Sequence, residues 1–218
     1  MGLFDKLKKQ PEPVTEDDIA SPGWDAITSR FEELYPGQTN PKHYGTLIRW
    51  QLGGNDPIDG ISVYDGGDFW HFVTYGFTEL YDKESDDTEC SGFGFELTLK
   101  LRKLPGLDEA EIKCICGVLQ SLARYVFESH KVIAPYEYIY TGQQTGIDAK
   151  SASKLTGFLT LPDVAGTLDT PNGIVEFVCV VGMTDGELRS IVDKERTTKE
   201  VLALYGSDLT DYSRTDLF

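Results

Sequence analysis

The histidines and one glutamate are the side chains of this sequence best suited to catalysis. Three histidines are present: His43, His71 and His130. A nucleophilic triad needs a histidine beside a nucleophile and an acid, and the chain has no G-x-S-x-G turn to carry the nucleophile. His71 stands between two aromatic residues of a β-prone run, which indicates a structural histidine. Glu96 could act as a catalytic carboxylate, but it lacks the second titratable partner that general acid–base chemistry uses. We therefore predict no catalytic residue.

Residues that could hold a metal or a phosphate are also present, but their spacing is wrong. Four aspartates lie beside predicted turns: Asp56, Asp59, Asp65 and Asp68. They lack the spacing and the final glutamate of a calcium loop, and the glycine pairs lack a phosphate-loop lysine. The four cysteines form no C-x-x-C pair: Cys90, Cys114, Cys116 and Cys179. We predict no metal and no cofactor, and we expect free, mostly buried thiols in a reducing cytoplasm.

The charge balance restricts the possible partners. The chain has 218 residues, of which 36 are acidic and 20 basic, and its formal net charge is -16. Nucleic-acid binding draws its affinity from clustered lysine and arginine, so DNA and RNA are predicted not to be partners. The acidic excess either keeps the protein soluble by self-repulsion or provides a docking face for a basic protein.

The N-terminal residues form a separate amphipathic pattern. Leu3, Phe4 and Leu7 share one helical face, and lysines occupy the rest of this short stretch. It could lie on an anionic membrane or dock on a partner, although a frayed helical start before a proline-bearing linker explains it as well. The chain has no apolar run of about 18 residues, so no stable membrane insertion is predicted. We divide the chain into this segment with its linker at residues 1–20 and one domain at residues 21–218.

The hydrophobic periodicity predicts alternating strands and helices within that domain. Helices are predicted at residues 22–34, 108–130, 184–193 and 198–204, the third opened by a capping box at Thr184. Strands are predicted at residues 46–52, 61–64, 69–75, 93–101, 158–161 and 174–181. Residues 207–218 are predicted to be a polar tail. In the clearest strand, Phe93, Phe95 and Leu97 alternate with polar residues, so its phenylalanines should face the core. The fold class that follows is α+β, with one mixed, largely antiparallel β-sheet flanked by α-helices.

Seven segments together resemble the Suppressor of fused domain family. In chain order they are ELYPGQTNPKHYG, LGGNDPIDGISVY, FWHFVTYGFTELY, SGFGFELTLKLR, LARYVF, PNGIVEFVCVVGMTDGEL and LTDYSR. The resemblance runs from about Trp24 to at least Met183. Two features depart from the family pattern: Phe69 replaces the first histidine of an H-W-H element, and IAPYEYIYTG lacks a G-x-H element. We therefore predict no ligand that depends on those family histidines.

The resemblance implies a protein that grips other polypeptides and not an enzyme. In animal members the domain pairs with an extended peptide of a transcription factor, near the tyrosine that matches Tyr125. The aromatic strand around Trp70 and Tyr75 is predicted to border the same groove. Bacterial relatives, which this single-domain length resembles, look like immunity proteins that neutralise toxins. Our first hypothesis is accordingly a cytoplasmic immunity protein that occludes a toxin. Because this chain is acidic, we expect the toxin to be basic. The second is a regulatory scaffold that binds an extended peptide, and the third is a hydrolase using His71 and Glu96.

Overall fold

The strands and helices follow each other along most of the chain. The computed structural model describes residues 20–48, 50 and 53–218. In that part of the chain the helices are α1 (Pro22–Leu34), α2 (Glu109–Ser129), α3 (Asp185–Val192) and α4 (Thr198–Tyr205). The strands are β1 (Lys42–Gly45), β2 (Gly60–Asp65), β3 (Phe69–Tyr75), β4 (Cys90–Arg102), β5 (Tyr138–Tyr140), β6 (Leu155–Thr170), β7 (Gly173–Thr184) and β8 (Leu209–Thr210). Apart from residue 20, the predicted N-terminal segment lies outside the described residues, so the division at residues 20 and 21 stays a prediction.

The strands form one mixed sheet. Their order is β1-β2-β3-β4-β7-β6-β5, and β8 pairs with the end of β4 beyond the stretch that pairs with β7. The β4–β7 and β4–β8 pairs are parallel, and the other described pairs are antiparallel. This confirms the predicted fold class, an α+β fold with a mixed and largely antiparallel sheet.

Helices cover both faces of the sheet. The long helix α2 packs on one face through apolar side chains spaced three and four apart, such as Ile112, Ile115 and Leu119. On the same face, Phe95 of β4 is only 2% exposed, which confirms the predicted phase of that strand. The opposite face is covered by α1, and by α3 and α4 further along the sheet. We refer to the two layers as the α2 side and the α1 side.

The helix termini follow the sequence signals closely. Thr184 and Glu187 form the predicted capping box of α3, in which each side chain bonds the other residue's backbone N–H. Asp108 caps α2 by accepting a hydrogen bond from the backbone of Ala110. Helix α2 ends at His130, which adopts the left-handed conformation with φ 55°.

Several predicted elements need correction. Residues 46–48 of the predicted strand at 46–52 are not extended. The edge strand is β1, which lies earlier in the chain and has no alternation of apolar residues from which it could be predicted. Residues 49, 51 and 52 lie outside the described part of the chain. Strand β6 spans 16 residues and not four, because its second half pairs with β7 through exposed polar positions. The predicted polar tail contains β8 and is held by an ion pair between Arg214 and the buried Glu187.

Candidate protein-binding site

Strand β5 forms one edge of the sheet. It pairs with β6 on one side and stands last in the strand order, so no described strand covers its other side. Gly157 of β6 allows the two strands to approach, since a Cβ there would lie 2.5 Å from the carbonyl oxygen of Ile139. Tyr136 and Tyr138 are each nearly half exposed at this edge. An open edge with backbone groups available is a template for a further strand.

A groove runs between this edge and α2. Its cavity volume is about 490 Å³. Gly117, Val118, Ser121 and Leu122 line it from the helix, and Ile139 and Ile147 line it from β5 and the following loop. The carboxylate of Asp148 fixes that loop by accepting hydrogen bonds from the backbone of Ala152 and Ser153. The groove has an apolar floor beside an open strand edge, a combination typical of peptide-binding clefts.

Tyr125 lies on the groove side of α2. Successive helical residues are rotated by about 100°, so Tyr125 lies one turn beyond Ser121 in the stripe that begins at Gly117 and Val118. Its side chain is 48% exposed. Phe127, which follows two residues later, points to the other flank of the helix and packs on Phe93 with ring centroids 5.0 Å apart.

The other two predicted site residues lie elsewhere. Trp70 is half-buried on the α2 side, but it pairs with Leu101 near one end of β4. Phe93 packs on Phe127, just beyond Tyr125 on the helix. It stands eight residues before Leu101 on β4, so roughly 26 Å of strand separates Trp70 from the part of α2 that carries Tyr125. Tyr75 is 1% exposed and lies on the α1 side, stacked on Trp24 at 4.3 Å. The structure therefore does not bring Trp70, Tyr75 and Tyr125 into one groove, and their binding roles stay predictions.

The histidine singled out by the sequence is buried in a polar cluster. His71 is fully buried, with Nδ1 2.7 Å from the hydroxyl of Tyr35 and Nε2 3.2 Å from the carboxylate of Asp163. Lys100 Nζ lies 3.6 Å from the same carboxylate and forms a closer ion pair with Asp208. Burial alone would raise the pKa of Asp163, but His71 and Lys100 lower it to about 2. This cluster joins α1, three strands and the chain before β8.

Glu96 occupies a separate buried position. Its carboxylate accepts hydrogen bonds from the hydroxyls of Thr74 and Thr78 and from the backbone N–H groups of Gly76 and Thr78. Burial raises the pKa of Glu96 to about 7, although these hydrogen bonds oppose the shift. His71 of β3 lies opposite Lys100 of β4, and Glu96 stands four residues before Lys100 on β4. His71 and Glu96 therefore form no catalytic dyad in the described structure. Each is 0% exposed.

The described residues carry neither a metal-binding cluster nor a membrane-spanning helix. They contain no group of three histidine, cysteine or acidic side chains placed to hold a metal ion. The four cysteines are free, and burial raises the pKa of Cys116 to about 12. No described helix is both long and apolar enough to cross a membrane.

Known proteins share both the sequence pattern and the fold. The model of the family "Suppressor of fused protein (SUFU)" matches residues 54–215. The Suppressor of fused homologs of Homo sapiens and Mus musculus are each 31% identical over 181 residues, which is 77% of this chain and 37% of each relative. The chain thus spans little more than a third of the length of these relatives.

Three solved structures extend the comparison. A crystal structure of the Sufu-Fu complex superposes with a TM-score of 0.78 at 28% identity, covering 91% of this chain and 93% of the matched one. Suppressor of Fused from Drosophila gives a TM-score of 0.77 at 28% identity, over 91% of this chain and 52% of that one. A putative homolog from Neisseria gonorrhoeae shares the fold, with a TM-score of 0.54 at 14% identity over 90% and 97% of the two chains. The chain belongs to the Suppressor of fused family.

Proposed function

We propose that this protein is a non-catalytic binding module that takes an extended segment of a partner protein at the open edge of β5. The observation that carries the proposal is the juxtaposition of that edge with the apolar groove along α2. A relative of similar fold has been crystallised as a Sufu-Fu complex, which supports protein binding as the activity.

The groove favours a segment that adds one strand to the sheet. Backbone hydrogen bonds along β5 would supply affinity, and alternate side chains of the segment would enter the groove against Val118, Leu122 and Ile139. Tyr125 would cover one end of the bound segment from the helix. An aromatic side chain in that position can act as an anchor that costs 2 kcal/mol or more when truncated.

The partner is proposed to be basic. With 36 acidic and 20 basic side chains, the protein attracts a positively charged partner and accelerates encounter with it. The specific proposal is a cytoplasmic immunity protein that neutralises a basic toxin by covering its active face. A regulatory scaffold is the second candidate, favoured by the complex formed by the relative.

Point variants in the groove test the binding surface. The partner is first captured with the products of neighbouring genes and then titrated by calorimetry. Gly117→Leu is the key variant, because Gly117 lines the groove and a Cβ there meets no atom within 4 Å, so a leucine side chain fits at the groove wall without a clash. Gly117→Ala is the matched control, since both changes favour the helix but only leucine occupies the groove.

We expect Gly117→Leu to weaken binding at least tenfold, Tyr125→Ala by about thirtyfold, which corresponds to about 2 kcal/mol, and Gly117→Ala by less than threefold. Wild-type affinity in both Gly117→Leu and Tyr125→Ala would refute the groove as the site. A captured partner that is an enzyme inhibited on binding would support the immunity proposal, and a partner whose activity is unaffected would support the scaffold.

A further inference from the structure

A second pocket lies on the other flank of α2. It is formed by the connection between β3 and β4 and by the C-terminal turn of the helix, and its cavity volume is about 350 Å³. No residue lines both this pocket and the groove beside β5. Tyr125 and Phe127 point to opposite flanks of α2, so the two sites are separated by the helix itself.

Aromatic rings form one part of the pocket wall. Phe77, Phe93 and Phe127 line it, with Phe127 5.0 Å from Phe93 and 6.1 Å from Phe77 between ring centroids. Phe77 is only 1% exposed, so the partly buried Phe93 and Phe127 supply the ring surface that a ligand can reach. Phe77 is itself stacked on the core residue Phe95 at 4.8 Å, so the wall is continuous with the hydrophobic core. Such a wall offers ring faces and edges to a ligand at little cost in conformational entropy.

Acidic residues form the other part of the pocket wall. Asp59, Asp82 and Glu84 line the pocket, and their side chains make no hydrogen bond or ion pair within the described residues. Glu79 also lines it, but its carboxylate is occupied: it pairs with Lys83 at 2.9 Å and accepts a hydrogen bond from the backbone of Glu84 at 2.8 Å. The pocket therefore carries negative charge that no described cation balances.

Hydrogen bonds to the carboxylates of Glu79 and Glu96 hold the pocket wall in shape. Glu79 also accepts a hydrogen bond from the backbone of Gly92, and Glu96 binds the backbone N–H groups of Gly76 and Thr78 from beneath. Gly92 has φ +53°, and a Cβ there would lie 2.7 Å from the carbonyl oxygen of Phe77. Because both carboxylates fix the loop before any ligand arrives, the pocket needs little reorganisation on binding.

We propose that this pocket binds a cationic side chain, an arginine, of the partner protein. Aromatic walls attract a cation through the ring quadrupole, and the planar guanidinium can stack on a ring while it donates hydrogen bonds to carboxylates. The aliphatic part of arginine can pack against the rings of the aromatic wall. The inference rests on the proposed function in that it needs a protein partner, but it assigns a different surface and a stated residue type.

A small probe tests the pocket without the partner. N-acetyl-arginine methylamide is titrated into ¹⁵N-labelled protein at about 0.15 M ionic strength, where long-range attraction is screened. The citrulline analogue, which has nearly the same shape and no charge, is the ligand control. We expect the arginine probe to shift the amide signals of Gly76, Thr78 and Gly92 saturably with a millimolar dissociation constant, and the citrulline probe not to do so.

Two double variants with the same change in net charge separate the pocket from the acidic surface as a whole. Asp82→Asn with Glu84→Gln removes two pocket carboxylates, and Asp86→Asn with Glu89→Gln removes two exposed carboxylates of the same loop that do not line the pocket. We expect the first pair to weaken arginine binding at least fivefold and the second less than twofold. Equal weakening by both pairs, or equal binding of citrulline, would overturn the proposal.

Failure of the arginine pocket and failure of the groove as the partner-binding site give different results. Gly117→Leu blocks the groove and leaves the pocket intact, so arginine binding should survive in that variant. Loss of partner binding in Gly117→Leu together with no arginine binding in the wild type would overturn the pocket alone. Arginine binding in a protein whose groove variants bind the partner normally would overturn the groove alone.

Discussion

Replacing Glu96 by glutamine should change how the stability of the protein depends on pH. The folded protein raises the pKa of this carboxyl from 4.5 to about 7, mainly through burial. A raised pKa means that folding favours the protonated acid. Its contribution to stability is fully present below the unfolded pKa of 4.5 and is lost as the pH rises through about 7.

The magnitude follows from the size of the shift. Each pKa unit corresponds to 1.36 kcal/mol, so ionising Glu96 in the folded protein costs roughly 3 kcal/mol, of which about 2.5 kcal/mol develops between pH 5 and pH 8. Glutamine resembles the protonated acid. Its oxygen can accept the hydrogen bonds of Gly76 and Thr78, and its amide can donate to the hydroxyl of Thr74, which in turn can donate to the carbonyl oxygen of Leu97 3.2 Å away.

Urea denaturation of wild type and Glu96→Gln at pH 5, 6, 7 and 8 measures this effect. The difference in unfolding free energy should shift by roughly 2–3 kcal/mol in favour of the variant as the pH rises. Glu128→Gln, an exposed change of the same charge on α2, is the control and should keep a constant difference from wild type. Parallel pH profiles for wild type and Glu96→Gln would refute the reasoning, because they would mean that the four donors keep Glu96 ionised in the folded state throughout this range.

Three further changes test the packing and the buried charges. Phe95→Ala should lower the unfolding free energy by about 3–5 kcal/mol in calorimetry, since the ring is 2% exposed. Phe218→Ala is the control: that ring is half exposed, so its loss should cost less than about 1 kcal/mol. Equal losses in the two variants would mean that Phe95 does not belong to the core. Asp163→Asn should cost about 3–5 kcal/mol at pH 7, because it leaves the buried ammonium group of Lys100 and the ring of His71 without their carboxylate partner. This cost should shrink in denaturation at low pH, as the wild-type acid protonates through about 2; a cost independent of pH would contradict the ion pairing. Gly157→Ala should loosen β5, because its Cβ would meet a backbone oxygen at 2.5 Å, and hydrogen exchange of Tyr138–Tyr140 should accelerate while that of the sheet centre stays unchanged.

Patterns within single segments were the part of the fold that could be predicted. The alternation in residues 93–101 set the buried face of β4, and the three-and-four spacing of apolar residues set α2. The capping box at Thr184 marked the start of α3 to the residue. These signals are local, so they needed no knowledge of which strands are neighbours.

Features that depend on distant pairing were missed. Strand β5 is three residues long and lies between Pro135 and Gly142, so it carries no periodic signal and is defined by pairing with β6. Glu96 read as a lone carboxylate, because its donors come from Thr74 on β3 and from Gly76 and Thr78 just after that strand. One available signal was overlooked: Trp70 and Tyr75 are five residues apart in a strand, and an odd spacing puts two side chains on opposite faces.

The two proposed sites flank a single helix, so one partner could occupy both. A partner that inserts a strand beside β5 and an arginine into the pocket would bridge α2, and each contact would raise the effective concentration of the other. In that case Gly117→Leu and the Asp82→Asn/Glu84→Gln pair should each weaken binding of the same partner. Because the two sites share no lining residue, their free-energy costs should add within about 0.5 kcal/mol in the combined variant. Calorimetric titration of the partner into wild type, Gly117→Leu, the carboxylate pair and the combined variant measures these costs. A partner whose affinity responds to Gly117→Leu but not to the carboxylate pair would show that the pocket serves a different ligand, because a shared partner cannot lose a seated arginine without losing affinity.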